Sequence, residues 1–76
     1  MKILFFASIA EIVGTTELEI PGIQNMKELK QFLASKYPTT TSVKYTVAVN
    51  KVIVHNENHI FSESDSVAIL PPFSGG

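Results

Sequence analysis

The stretch Val67-Ala68-Ile69-Leu70-Pro71-Pro72-Phe73-Ser74-Gly75-Gly76 carries two instructions in ten residues. In an extended chain Val67 and Ile69 share one face while Ala68 and Leu70 share the other, so residues 67–70 read as a short strand with apolar groups on both sides. Pro71 and Pro72 cannot donate to a sheet ladder and each locks its φ angle, so the strand stops there and the chain leaves it stiffly. Phe73 follows as a lone large apolar group, then Ser74, then two residues without side chains. At a background glycine usage of about 7%, a Gly-Gly end arises by chance in roughly 0.5% of chains. The stretch reads as the last strand of a sheet that launches a tip thin enough to thread into a pocket of another protein. The reactive group of that tip is the α-carboxylate of Gly76.

The rest of the chain is a small body for this tail. Seventy-six residues make one domain, and a chain of that length buries only about 60% of the surface it exposes when unfolded. Yet 45% of its residues are hydrophobic, a surplus that points to apolar surface reserved for a partner. There is no cysteine, hence no disulfide and no thiol nucleophile or metal ligand, in keeping with a reducing compartment. A net charge of −1 without a basic cluster argues against nucleic acid as a partner. No apolar run approaches the ~18 residues of a membrane span, and the apolar start Met1 to Ala7 is interrupted by Glu11 before it could serve as a signal peptide. The expectation is a soluble, cytoplasmic protein.

Working back from the tail, residues 2–7 form a first strand, with Ile3, Phe5 and Ala7 on one face and Lys2, Leu4 and Phe6 on the other. A strand covered by a helix needs only one apolar face; the second one points to a partner. Ile9, Ile12 and Val13 suggest a single helical turn closed by Gly14 in a left-handed conformation. Residues 15–20 alternate as a second strand with one wet face, and Pro21-Gly22 is a turn. Residues 25–36 form the main helix: Asn25 caps it, Glu28 completes a capping-box-like pair, and Met26, Leu29 and Leu33 with Phe32 make its apolar stripe. Pro38 ends it near Tyr37. A polar loop (39–42), a strand over 44–50 around Tyr45, Val47 and Val49, a two-residue turn at Asn50-Lys51 and a short strand over 52–54 follow. Residues 55–66 are polar, with Ile60 and Phe61 as an apolar plug. The order strand, strand, helix, strand, short strand, strand predicts an α+β fold: a mixed sheet of four to five strands with one main helix packed across it, the final strand beside the first. Residues 1–70 form the domain and 71–76 the extended functional tail.

No catalytic constellation appears. His55 and His59 fall in a loop-like segment without cysteine and read as surface histidines. Glu11, Glu17 and Glu19 are scattered, Glu63 and Asp65 belong to a Ser-rich turn, Ser74 has no histidine nearby in sequence to activate it, and there is no Gly-rich phosphate loop. The chemistry therefore falls on Gly76. A carboxylate is a poor electrophile and needs activation, for example as an acyl-adenylate, by another protein.

Over essentially its whole length the chain resembles the small subunits of molybdopterin synthase, which are ubiquitin-like β-grasp sulfur carriers. The resemblance is carried by Ile3-Leu4-Phe5-Phe6-Ala7, Glu11-Ile12-Val13-Gly14, Asn25-Met26 with Leu29, Val47-Ala48-Val49-Asn50, and Asp65 through Gly76, whose Pro-Pro-x-x-Gly-Gly ending weighs most. It implies that a ubiquitin-activating-like adenylyltransferase uses ATP to adenylate Gly76, which is converted to a thiocarboxylate. The sulfur then goes to cyclic pyranopterin monophosphate, building the molybdopterin dithiolene within an assembly of two small and two large subunits. It further implies that this chain binds no cofactor itself and that the active site lies on the large subunit. Ser74 and Gly75 thread with Gly76 into it, while Leu4, Phe6, Ala68, Leu70, Pro71, Pro72 and Phe73 meet the partner. Two positions depart from the family pattern: Ala10 stands where an arginine is common, and Ser64 precedes Asp65 in place of glycine. The alternatives are the sulfur carrier of thiazole (thiamine) synthesis, a ubiquitin-like modifier joined through Gly76 to lysines, and an interaction module with an inert tail.

Overall fold

The computed structural model describes residues 1–72. Five strands form one mixed sheet: β1 (Lys2–Phe5), β2 (Glu17–Glu19), β3 (Thr46–Val49), β4 (Val52–Ile53) and β5 (Ser66–Leu70). Their order across the sheet is β2-β1-β5-β3-β4. Two helices, α1 (Ala7–Val13) and α2 (Met26–Lys36), and a 3-10 turn at Pro38–Ser42 complete the chain. The final strand lies beside the first, as expected, and pairs with it in parallel, with Ile3 opposite Val67 and Phe5 opposite Ile69. On its other side β5 pairs antiparallel with β3, Val47 opposite Ile69 and Val49 opposite Val67.

Alternation sorts the central strands into two faces. Ile3, Phe5, Val67 and Ile69 point inward and are essentially inaccessible; with Val47, Val49 and the helix residues Met26, Leu29 and Leu33 they form the core. Each such side chain contributes roughly 1.5–3 kcal/mol of burial. The α2 stripe read from the sequence is the stripe that packs, and Asn25 is its cap: the Glu28 N–H donates to Asn25 Oδ1 at 2.9 Å. Glu28 reaches back one residue further than in a standard capping box, accepting from the Gln24 N–H at 2.8 Å. Asn25→Ala removes the acceptor and is expected to cost about 1 kcal/mol, read as a lower denaturant midpoint with an unchanged m-value.

Several expectations require correction. The first strand ends at Phe5, not Ala7. Ala7 opens α1 at φ +50°, because Phe6 is already the N-cap of that helix. The segment after β1 is a seven-residue helix rather than a single turn, although Gly14 does close it at φ +83°. The second strand is trimmed to Glu17–Glu19, since the Thr15 hydroxyl is taken up by a local turn to Glu17. The third begins at Thr46 and the fourth ends at Ile53. The polar loop after α2 is the 3-10 turn, and Thr40 within it is buried. Its hydroxyl donates toward the Tyr37 carbonyl at 2.8 Å, which lets a polar side chain replace an apolar one there. The Ile60-Phe61 plug is half correct: Phe61 is buried, whereas Ile60 is 71% exposed. Ile60 makes an isolated bridge to Asn25, so successive side chains point opposite ways and only one can face the core.

Candidate functional site

Of the exposed large apolar residues, Phe6 and Ile53 lie on the sheet face opposite the helices, while Val52 and Ile60 line a separate depression beside Phe61. The registers place Glu17, Leu4, Ala68, Ala48 and Ile53 in one row across all five strands. Two small residues, Ala68 and Ala48, stand in the middle of that row. A depression of about 340 Å³ is lined by Leu4, Phe6 and Ala68, with Asn50, Lys51 and Ser66 on its polar side.

Phe6 reaches this face although it lies outside β1. Its backbone is extended, φ −120° and ψ 149°, so alternation continues one residue past the strand and keeps Phe6 on the side of Leu4. Its N–H donates to the Ile69 carbonyl at 3.1 Å, stitching it to β5, and its carbonyl accepts from the Ile9 N–H at 3.0 Å. The residue is 44% exposed.

The polar edge is built as firmly. Asn50 and Lys51 have φ of +49° and +71°, the signature of the two-residue hairpin turn expected at this position. The Asn50 amide donates to Asp65 Oδ1 at 2.9 Å, and Asn50 Oδ1 accepts from the Ser66 N–H at 3.0 Å. Asp65 closes its own turn by accepting from the Ser62 N–H at 2.8 Å. That backbone bond, then the Asn50 amide, holds the Asp65 carboxyl below the usual carboxylate range.

Of the residues expected to meet a partner, Leu4, Phe6 and Ala68 are brought together here. Leu70 shares the face of Ala68 by alternation and is half-buried, but it lies outside the depression. Pro71 is half-buried. Pro72 lines a different groove, of about 500 Å³, with Lys30, Ala34, Thr40, Lys44 and Tyr45. Burial, and secondarily the Glu57 charge, pushes the Tyr45 hydroxyl above its usual range. Phe73, Ser74, Gly75 and Gly76 lie outside the described residues. Sequence reasoning missed Ala48, Ile53, Asn50, Lys51 and Ser66 as members of this face. The signal was present: a two-residue turn at Asn50-Lys51 sets Val49 opposite Val52 and hence Ala48 opposite Ile53. Among the described residues no group of three or more His, Asp or Glu side chains is placed to hold a metal ion; the His59 ring packs edge-on against Phe61.

The model of the ThiS family matches residues 3–76. The chain belongs to the ThiS family. It is similar, at 34% identity, to the molybdopterin synthase sulfur carrier subunit of Drosophila melanogaster, the match covering 100% of this chain and 90% of that one. The protein of the same name from Escherichia coli (strain K12) is 32% identical, with 100% and 99% covered. Among solved structures, small archaeal modifier protein 1 from Methanosarcina acetivorans superposes with a TM-score of 0.80 at 26% identity, over 99% of this chain and 94% of that one. Subunit 1 or 2 in the complex of the two molybdopterin-converting factor subunits from Helicobacter pylori 26695 gives a TM-score of 0.73 at 25% identity, over 99% and 96%. This ThiS family chain has the ubiquitin-like β-grasp fold, with a mixed five-stranded sheet.

Proposed function

We propose that this ThiS family chain is the sulfur carrier subunit of molybdopterin synthase. The observation that carries the reading is its end-to-end similarity to relatives of that name, Gly75 and Gly76 included in the matched length. The open face supports it, because β1 and β5 bear both the docking residues and the root of the tail.

In this reading the Gly76 carboxylate attacks the α-phosphate of ATP on a partner adenylyltransferase, releasing pyrophosphate and leaving an acyl-adenylate. A sulfur nucleophile then displaces AMP, and the product is the thiocarboxylate. The large synthase subunit receives the tail (Ser74, Gly75, Gly76) while the sheet face docks on it. Sulfur passes to cyclic pyranopterin monophosphate and Gly76 returns to a carboxylate; two deliveries complete the dithiolene. The residues of this chain carry and place the sulfur, and the large subunit supplies the catalytic groups.

Intact-mass spectrometry of the protein isolated from a host holding the adenylyltransferase is expected to show a species heavier by the difference between one sulfur and one oxygen, localised to Gly76. With the large subunit, that species should convert the pterin precursor. A persistently unmodified Gly76 in such a host would refute sulfur carriage. The likeness to a small archaeal modifier favours a second reading, conjugation to lysines; the same spectra would then show Gly76 in amide linkage to target peptides.

A further inference from the structure

Three residues other than glycine have positive φ among the described residues: Ala7, Asn50 and Lys51. Asn50 and Lys51 line the depression on the open face, whereas Ala7 opens α1 behind Phe6. A non-glycine residue in this region carries backbone strain, and such strain persists where the surroundings hold it. For Asn50 the holding groups are Asp65 and Ser66, and asparagine tolerates the conformation. Lys51 has no such compensation. It occupies the second turn position, where glycine is the low-strain choice, and its side chain is exposed.

Among the described residues its charge is also uncommitted. The ion pairs among the described residues use the Met1 ammonium, Lys2 and Lys30. At the β2 end of the face Lys2 and Glu17 neutralise each other at 3.5 Å. At the β4 end Lys51 stands at the depression without a carboxylate partner among the described residues. Lys51 is thus the charged residue among those lining the depression, while the Asp65 carboxylate at this edge is taken up by Asn50 and the Ser62 turn.

The geometry points to Lys51 as an electrostatic specificity residue of the docking face: the large synthase subunit seats an apolar side chain among Leu4, Phe6 and Ala68 and sets a carboxylate over the Asn50-Lys51 turn. This rests on the reading that the open face docks the large subunit. The lysine orients the encounter, since a charge at the rim of an interface acts mainly on association rate and its salt dependence. Strain in the turn is retained because glycine, the easier residue, brings no charge.

The test measures association of the purified chain with the large subunit of the same organism, for wild type, Lys51→Gly, Lys51→Glu, Lys51→Arg and Phe6→Asp. Lys51→Gly is expected to slow association about 3- to 10-fold at ~50 mM salt, with the difference closing at ~500 mM. Lys51→Glu should be slower still, and Lys51→Arg should match wild type. The melting temperature of Lys51→Gly should be no lower than that of wild type, because glycine accepts the positive φ; a purely structural role for the lysine would give the reverse. If Phe6→Asp fails to bind while Lys51→Gly and Lys51→Glu associate like wild type at low salt, the inference is wrong and the docking face stands. If Phe6→Asp binds normally, the docking face is wrong and the inference goes with it.

Discussion

Phe6→Asp is expected to weaken association with the large synthase subunit by about 30- to 1,000-fold, the 2–4 kcal/mol associated with losing a well-seated interface aromatic, while the isolated chain stays as stable as before. The two halves of this expectation have separate causes. Phe6 is 44% exposed in the free chain, so its ring contributes little to folding, and an aspartate facing an apolar partner surface cannot be desolvated cheaply. Phe6 is also the N-cap of α1 and makes no side-chain capping bond there. Aspartate is among the best residues at that position and phenylalanine among the worst, with about 0.5–2 kcal/mol at stake. The variant therefore trades a poor cap for a good one. A melting temperature equal to or above that of wild type, together with lost binding in a pull-down or by calorimetry, is the expected pair of results. Lost binding accompanied by a fallen melting temperature would instead assign Phe6 a structural role.

Leu33→Ala is expected to have the largest effect on stability. Leu33 is fully buried on α2, and its carbonyl accepts from the Tyr37 N–H at 2.8 Å at the helix end. Truncating a buried leucine costs roughly 2–5 kcal/mol through lost transfer free energy and the cavity left behind. A 76-residue domain has only ~4–11 kcal/mol in total. A drop in melting temperature of more than about 10 °C follows for a domain of this size. Leu33→Met, which keeps the volume, should recover most of it. The comparison by thermal and urea unfolding checks both values, and a loss under about 1 kcal/mol would mean that α2 is not clamped to the sheet through this residue.

Much of this was legible because period-2 and period-3.6 patterns are statements about faces. Val67 and Ile69 against Ala68 and Leu70, the stripe of Met26, Leu29 and Leu33, the cap at Asn25 and the left-handed Gly14 all rest on local geometry, and the structure keeps them. What was not legible depends on where a chain turns relative to the sheet. Phe6 continues the alternation of β1 by pattern, and nothing local reveals that it has stopped being strand and become a helix cap. Ile60 and Phe61 look alike in sequence; the bridge to Asn25 decides which is buried. Thr40 reads as loop because its burial depends on carbonyls at the end of α2. For the candidate site, Leu4, Phe6 and Ala68 could be grouped from alternation once β1 and β5 were neighbours. The Asn50-Lys51 turn fixes Ile53 opposite Ala48 locally, but joining that hairpin to Leu4 and Ala68 required the pairing of β3 with β5, which is tertiary information. Pro72, placed with them by the resemblance, lines a separate groove beside Tyr45.

The placement of β5 between β1 and β3 has a mechanical consequence. A partner that draws on the chain beyond Leu70 pulls along the strand axis. The hydrogen bonds to β3 lie across that axis and those to β1 are slanted to it, so both ladders are loaded mainly in shear. Pull on β4 instead, and its two-residue ladder to β3 opens one bond at a time, like a zipper. The sheet thus holds more firmly along the axis of β5 than at β4, and the anchor can resist traction without any contact beyond those that fold it.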